Sequence, residues 1–139
     1  MGDLHECIRE FFAKRDRLAE QLGVEILEVG AGRAVTRLRI DERHLNGAGV
    51  AHGGALTTLA DVAFAAASNS HNALALAINI NISFMKAVGG GALVAEAREL
   101  SRRRRTASYE VIIRDESGET VAVFHGLAYI KGEPLVPED

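Results

Sequence analysis

Two hydrophobic periods divide the chain. From Gly53 to Ser68, the residues Leu56, Leu59, Ala60, Ala63, Phe64 and Ala67 recur at three- and four-residue spacing, the period of one helix face. The other faces carry Ala55, Val62, Ala65 and Ala66, so this predicted helix is apolar nearly all round, as suits a helix enclosed by other structure. Asp61 is the exception. Near the start, Asp3 is placed to cap a first helix with Glu6 as its partner; Leu4, Ile8, Phe11, Phe12, Leu18 and Leu22 give that helix an apolar stripe, and Gly23 ends it. Elsewhere the period is two. Val24 to Val29 reads as a strand that turns at Gly30-Ala31-Gly32 into a second, in which Ala34, Thr36, Leu38 and Ile40 alternate with Val35, Arg37 and Arg39. After the central helix, Leu74, Leu76, Ile78, Ile80, Ile82 and Phe84 alternate with Ala75, Ala77, Asn79, Asn81 and Ser83, a long half-buried strand. Leu93 to Leu100, Ala107 to Arg114 and Val121 to Ile130 complete the set.

The turns after the central helix are short, and short turns join antiparallel neighbours, because a parallel pair needs a long crossover. The expected architecture is therefore α+β: an antiparallel sheet of five to six strands wrapped around a long central helix, with a peripheral N-terminal helix. The six alanines between Ala55 and Ala67 allow sheet and helix to approach closely. At 139 residues the chain is expected to form one domain, 1–139. The tail after Lys131 holds both prolines and is expected to fray. A net charge of −3 argues against a nucleic-acid binder. The single cysteine, Cys7, makes no internal disulfide or thiolate metal site and reads as a small core residue. No signal peptide and no run of membrane-spanning length is apparent, so a soluble cytoplasmic protein is expected.

Asp61 invites a functional reading, because a carboxylate on a buried helix needs a partner or a use, and no Lys or Arg lies between Arg43 and Lys86. Asn46-Gly47-Ala48-Gly49-Val50-Ala51-His52-Gly53-Gly54, followed by Leu59-Ala60-Asp61 and Asn69-Ser70, resembles the signature of hotdog-fold acyl-CoA thioesterases of the phenylacetic-acid-degradation (PaaI-like) type. The resemblance implies a thioester hydrolase in which Asp61 activates water or attacks the carbonyl itself and the Gly53 backbone N–H binds the oxyanion. It implies also that Asn46 helps hold the water or the thioester, with His52 part of the motif. Coenzyme A would enter as part of the substrate, with no separate cofactor. Chemistry agrees on independent grounds: a helix N-terminus presents unpaired N–H groups and partial positive charge, and a carboxylate in an apolar setting is a stronger base. Some of the thioesterases it resembles carry a Ser or Thr on the strand after the helix that helps orient the water; here the nearby positions are Ala77, Asn79 and Asn81, with Ser83 further on.

Gly53 and Asp61 are separated by about 12 Å of helix at the usual rise, too far to touch one carbonyl. Two antiparallel helices would bring Gly53 of one chain to Asp61 of another, so an obligate homodimer is expected; the resemblance implies that two such dimers can pair into a homotetramer. Gly54, Phe64 and Ser68 are candidate substrate contacts, with Leu56 or Phe84 from a neighbouring chain. Arg103 and Arg105, within the run Arg102 to Arg105 that leads into a strand, are candidates for the phosphates of coenzyme A. His44, His71 and His125 lack metal-ligand spacing, so no metal is expected. A non-catalytic acyl-CoA-binding module would keep the glycines and arginines but would not need Asp61. Hotdog hydratases are disfavoured because Ala66 stands where their histidine is needed, and dehydratases because the loop before the helix has no proline.

Overall fold

The apolar central helix lies against a single antiparallel sheet and touches every one of its six strands. The computed structural model describes residues 3–138. In chain order it contains α1 (Leu4–Arg15), α2 (Arg17–Leu22), β1 (Glu25–Gly30), β2 (Arg33–Ile40), a 3-10 turn (Glu42–His44), α3 (Gly53–Ser68), β3 (Ala75–Phe84), β4 (Gly91–Arg102), β5 (Thr106–Arg114) and β6 (Thr120–Ile130). The sheet order is β1-β2-β4-β5-β6-β3, which leaves β1 and β3 as the edges. This is the antiparallel sheet around a central helix that the residue pattern predicts, and the hotdog fold that the resemblance implies.

Small side chains on both layers set the spacing. Ala60, Ala63 and Ala67 of α3 meet Ala95, Ala97, Ala122 and Ala128 of the sheet, all fully or nearly fully buried. Phe64 is the large side chain in this layer, packed against Tyr109 and Phe124. Its ring fits because Gly126 lies beneath it: a Cβ there would fall 2.7–2.8 Å from three ring carbons. The Thr36 hydroxyl donates to the Leu59 carbonyl, a satisfied buried polar contact.

Four expectations are corrected. The single N-terminal helix is two, because Asp16 leaves helical geometry, ends α1 and caps α2 by accepting from the Ala19 N–H. Asp3 does cap α1, but through the His5 N–H, while Glu6 pairs with Arg9 rather than completing a capping box. Cys7 is exposed, so it is not a core residue. The tail is docked rather than frayed: Asn72 accepts from the N–H groups of Leu135 and Val136 and donates to the Val136 carbonyl.

The long strand β3 also departs from simple alternation. Ala77 pairs with Ala128 but Asn79 with Leu127, so Ile78 is an extra residue in a bulge. The bulge moves Ile80, Ile82 and Phe84 onto the helix side, with Ala75 and Ala77, while Leu76, Asn79, Asn81 and Ser83 take the outer face. β3 is mostly exposed within one chain, including Leu76, Ile78, Ile80 and Phe84.

Candidate active site

The loop ahead of α3 is built to present the start of the helix. His44 is buried and spans two elements, its Nε2 meeting the Leu22 carbonyl while its Nδ1 accepts from the Asp41 N–H. Its own carbonyl accepts from the His52 N–H, and the Ala51 N–H donates to Val88. Asn46 folds the loop back on itself: its Oδ1 accepts from the Ala48 and Val50 N–H groups at 2.9 and 3.3 Å. The oxygen is thereby occupied. Its Nδ2 makes no hydrogen bond among the described residues, so the donor side of the Asn46 amide is the side left free.

His52 is the N-cap of α3, and its Nδ1 accepts from the Gly54 N–H at 2.8 Å. The N–H groups of Ala55 and Leu56 both go to the His52 carbonyl. Gly53 therefore has the one N–H of the first helical turn without a partner among the described residues, and Gly54, a candidate contact by sequence, has its N–H already committed. The ring of Phe84 sits over Gly53, 3.1 Å from where a Cβ would be. Asn46, Gly53, Leu56, Phe84 and Lys86 line an open pocket of about 450 Å³.

Two turns further along α3, Asp61 borders a different pocket, of about 330 Å³, with Phe64 and Ser68 from the same helix face, Phe12 from α1, Leu76 from β3 and Leu135 from the tail. Asp61 has no hydrogen-bond or ion-pair partner among the described residues. Burial holds its carboxyl above the usual aspartate range, and the nearby Asp16 carboxylate adds to the effect. The two pockets share no lining residue. Within one chain the free N–H and the free carboxylate face separate cavities.

Phe64 is almost wholly buried in the core and contributes to the Asp61 pocket; the Ser68 hydroxyl, also at that pocket, donates to the Ala65 carbonyl. Asn79 and Asn81 lie on the face of β3 turned away from α3 of the same chain. Arg103 and Arg105 lie in the turn between β4 and β5, outside either strand, so strand alternation does not sort them onto faces; both are exposed and unpaired among the described residues. Arg102 instead lies beside Tyr109 and Glu99, where Glu99 accepts hydrogen bonds from the Tyr109 hydroxyl and the His71 ring. Burial pushes Glu99 upward, but those two hydrogen bonds outweigh it and hold its carboxyl below the usual range.

Sequence reasoning missed the contribution of α1 and the tail to the Asp61 pocket. A signal for the tail existed: Leu135-Val136 is an apolar pair bracketed by Pro134 and Pro137, a pattern of a packed segment rather than a solvated one.

Residues 48–122 match the family model described as the thioesterase superfamily. A protein of Archaeoglobus fulgidus is 41% identical over 95% of this chain and 86% of its own length. The acyl-coenzyme A thioesterase PaaI of Escherichia coli is 33% identical, over 90% of each chain. The solved structure of the E. coli PaaI protein from the phenylacetic acid degradation operon superposes with a TM-score of 0.90 at 31% identity, covering 94% of this chain and 96% of that one.

Proposed function

The chain belongs to the thioesterase superfamily, and from that premise we propose that it hydrolyses acyl-CoA thioesters in two equivalent sites, each shared between two copies. The observation that carries this reading is a pair of unsatisfied groups on one helix: the Gly53 N–H at its start and the Asp61 carboxylate about 12 Å along it. In each site Asp61 of one copy meets the Gly53 N–H and the Asn46 amide of the other.

The thioester carbonyl oxygen accepts from Gly53 and Asn46, which stabilise the negative charge that develops on it. Asp61 acts as general base or as nucleophile. As base it takes a proton from water while the water oxygen bonds the carbonyl carbon; the C–S bond then breaks, the thiolate takes up a proton, and free acid and coenzyme A leave. As nucleophile it bonds the carbonyl carbon, the C–S bond breaks and the coenzyme A thiolate leaves and takes up a proton, and water then cleaves the anhydride to free acid and the Asp61 carboxylate. Both routes need a carboxylate that nothing else pairs with. Neither needs a cofactor.

Dimerisation has a physical basis in β3. It is an edge strand with apolar side chains at its exposed positions, an arrangement that invites pairing with another strand. On α3, Gly53, Thr57, Asp61 and Ala65 recur at four-residue spacing and are only partly buried, a strip suited to a second antiparallel helix. A two-fold axis that pairs β3 with its copy would set these strips against each other.

The acyl pocket is lined by Phe12, Phe64, Ala77 and Leu135 among others and by no Lys or Arg, which favours an apolar acyl group over a dicarboxyl one. Arg103 and Arg105 are assigned to the phosphates of coenzyme A. Thr106, Tyr129 and Leu76 are cross-strand neighbours, so the arginine turn lies only about 10 Å, two strand spacings, from the pocket wall.

The test is thiol release from alkyl-, aryl- and dicarboxyl-CoA thioesters by the native protein and by Asp61→Asn. The expected result is cleavage of apolar acyl groups and a loss of about a hundredfold or more in the variant. Binding of acyl-CoA without cleavage would make the protein a binding module, and an unimpaired variant would remove Asp61 from the chemistry.

A further inference from the structure

The pocket beside Asp61 is lined in part by Leu135, from a segment at the other end of the chain. Ser68 lies seven residues beyond Asp61, about 10 Å along the helix axis, and the tail crosses near that end. It is held there at two points. The Leu74 N–H donates to the Glu133 carbonyl and the Lys131 N–H to the Leu74 carbonyl, which ties the tail to the residue just before β3. Asn72 then clamps the next residues: its Oδ1 accepts from Leu135 at 3.0 Å and Val136 at 2.9 Å, and its Nδ2 donates to the Val136 carbonyl at 3.0 Å. Asn72 is buried and has a φ of 57°, a left-handed conformation that asparagine tolerates better than most residues. Pro134 and Pro137 flank the clamped pair and limit the freedom the tail loses on docking.

Leu135 and Val136 are not among the residues of the buried core cluster. Leu135 is only partly buried, and what its side chain adds is a wall of the Asp61 pocket. We propose that the segment Gly132–Val136, strapped down by Asn72, is the end-stop of the acyl pocket, and that Leu135 sets the longest acyl chain the protein accepts. The inference rests on the reading above that this pocket receives the acyl group. An apolar chain whose carbonyl is at Asp61 runs along the Phe64 and Ser68 face and meets Leu135 at its end. Asn72 is a positioning residue, acting only through the strap.

The experiment measures kcat/KM across straight-chain acyl-CoAs of increasing length for the native protein, Leu135→Ala, Leu135→Trp and Asn72→Gly. Glycine keeps the left-handed backbone available and deletes the clamp. For the native protein the profile should break at a limiting length. Leu135→Ala and Asn72→Gly should both raise the long-to-short ratio by about tenfold or more, the discrimination that contacts of methylene size support in an apolar pocket, and Leu135→Trp should lower it. A merely destabilised variant loses rate at every length in proportion and leaves the ratio alone. Unchanged ratios in both Leu135 variants, with native cleavage intact, would overturn the end-stop. If no thioester is cleaved at all, the proposed reaction fails separately; the end-stop is then read from acyl-CoA dissociation constants, which must show the same break and the same shifts or the inference falls.

Discussion

At the scale of single residues, the groups that matter are those left without partners. Asp61 is half-buried beside apolar side chains, and its carboxyl is held above the usual range by burial and by Asp16. Such a group binds its proton more tightly folded than unfolded, so stability falls as pH rises from the ordinary aspartate pKa through the raised one. Asp61→Asn should therefore have a higher Tm than the native protein at pH 7, with the difference vanishing below the ordinary aspartate range; thermal melts across pH check this, and a lower Tm at neutral pH would contradict it. The same raised pKa should appear in function. A base must be deprotonated, so kcat/KM should rise with pH through a midpoint above the ordinary aspartate value, and that limb belongs to Asp61. The exception to helix patterning at Asp61 was legible in the sequence because every other face of α3 is apolar. Which N–H is free was not legible from spacing, and Gly53 was reached only through the resemblance: the choice depends on the His52 ring taking the Gly54 donor, a rotamer that no residue spacing encodes.

At the scale of elements, the packing of α3 depends on paired exceptions. Phe64 is large where its helix neighbours are alanines, and Gly126 is bare where β6 passes under the ring. Gly126→Ala should destabilise the fold by about 1–3 kcal/mol through overpacking, measured by urea unfolding; an unchanged midpoint would mean that the ring moves freely. The six strands and the central helix were readable from periodicity, since alternation survives wherever one face is buried. Three local features were not. Asp16 breaks an otherwise continuous helical pattern because its carboxylate caps α2 better than it continues α1. Ile78 bulges and inverts the facing of half of β3, which a strict period of two hides. The arginine run forms the turn itself, because the β4 pairing extends to Arg102 and β5 begins at Thr106.

At the scale of the whole molecule, the exposed apolar edge at β3 and the two separate pockets point the same way. A charge placed on that edge should leave each chain folded and prevent pairing: Ile80→Lys should sediment as a monomer, retain its circular dichroism and lose thioesterase activity. An active monomer would break the link between assembly and catalysis. The most direct test of the shared site is complementation. Asp61→Asn and Asn46→Ala are each expected to be impaired alone, since every site in either homodimer lacks one group. Co-expressed in equal amounts, half of the dimers combine one of each chain, and each such dimer holds one site with both Asp61 and Asn46 intact. Activity should return to about a quarter of the native value per chain under random pairing of isologous dimers. If the mixture is no more active than the mean of the two variants, Asp61 and Asn46 do not act across the interface, and the account of a site shared between copies is wrong.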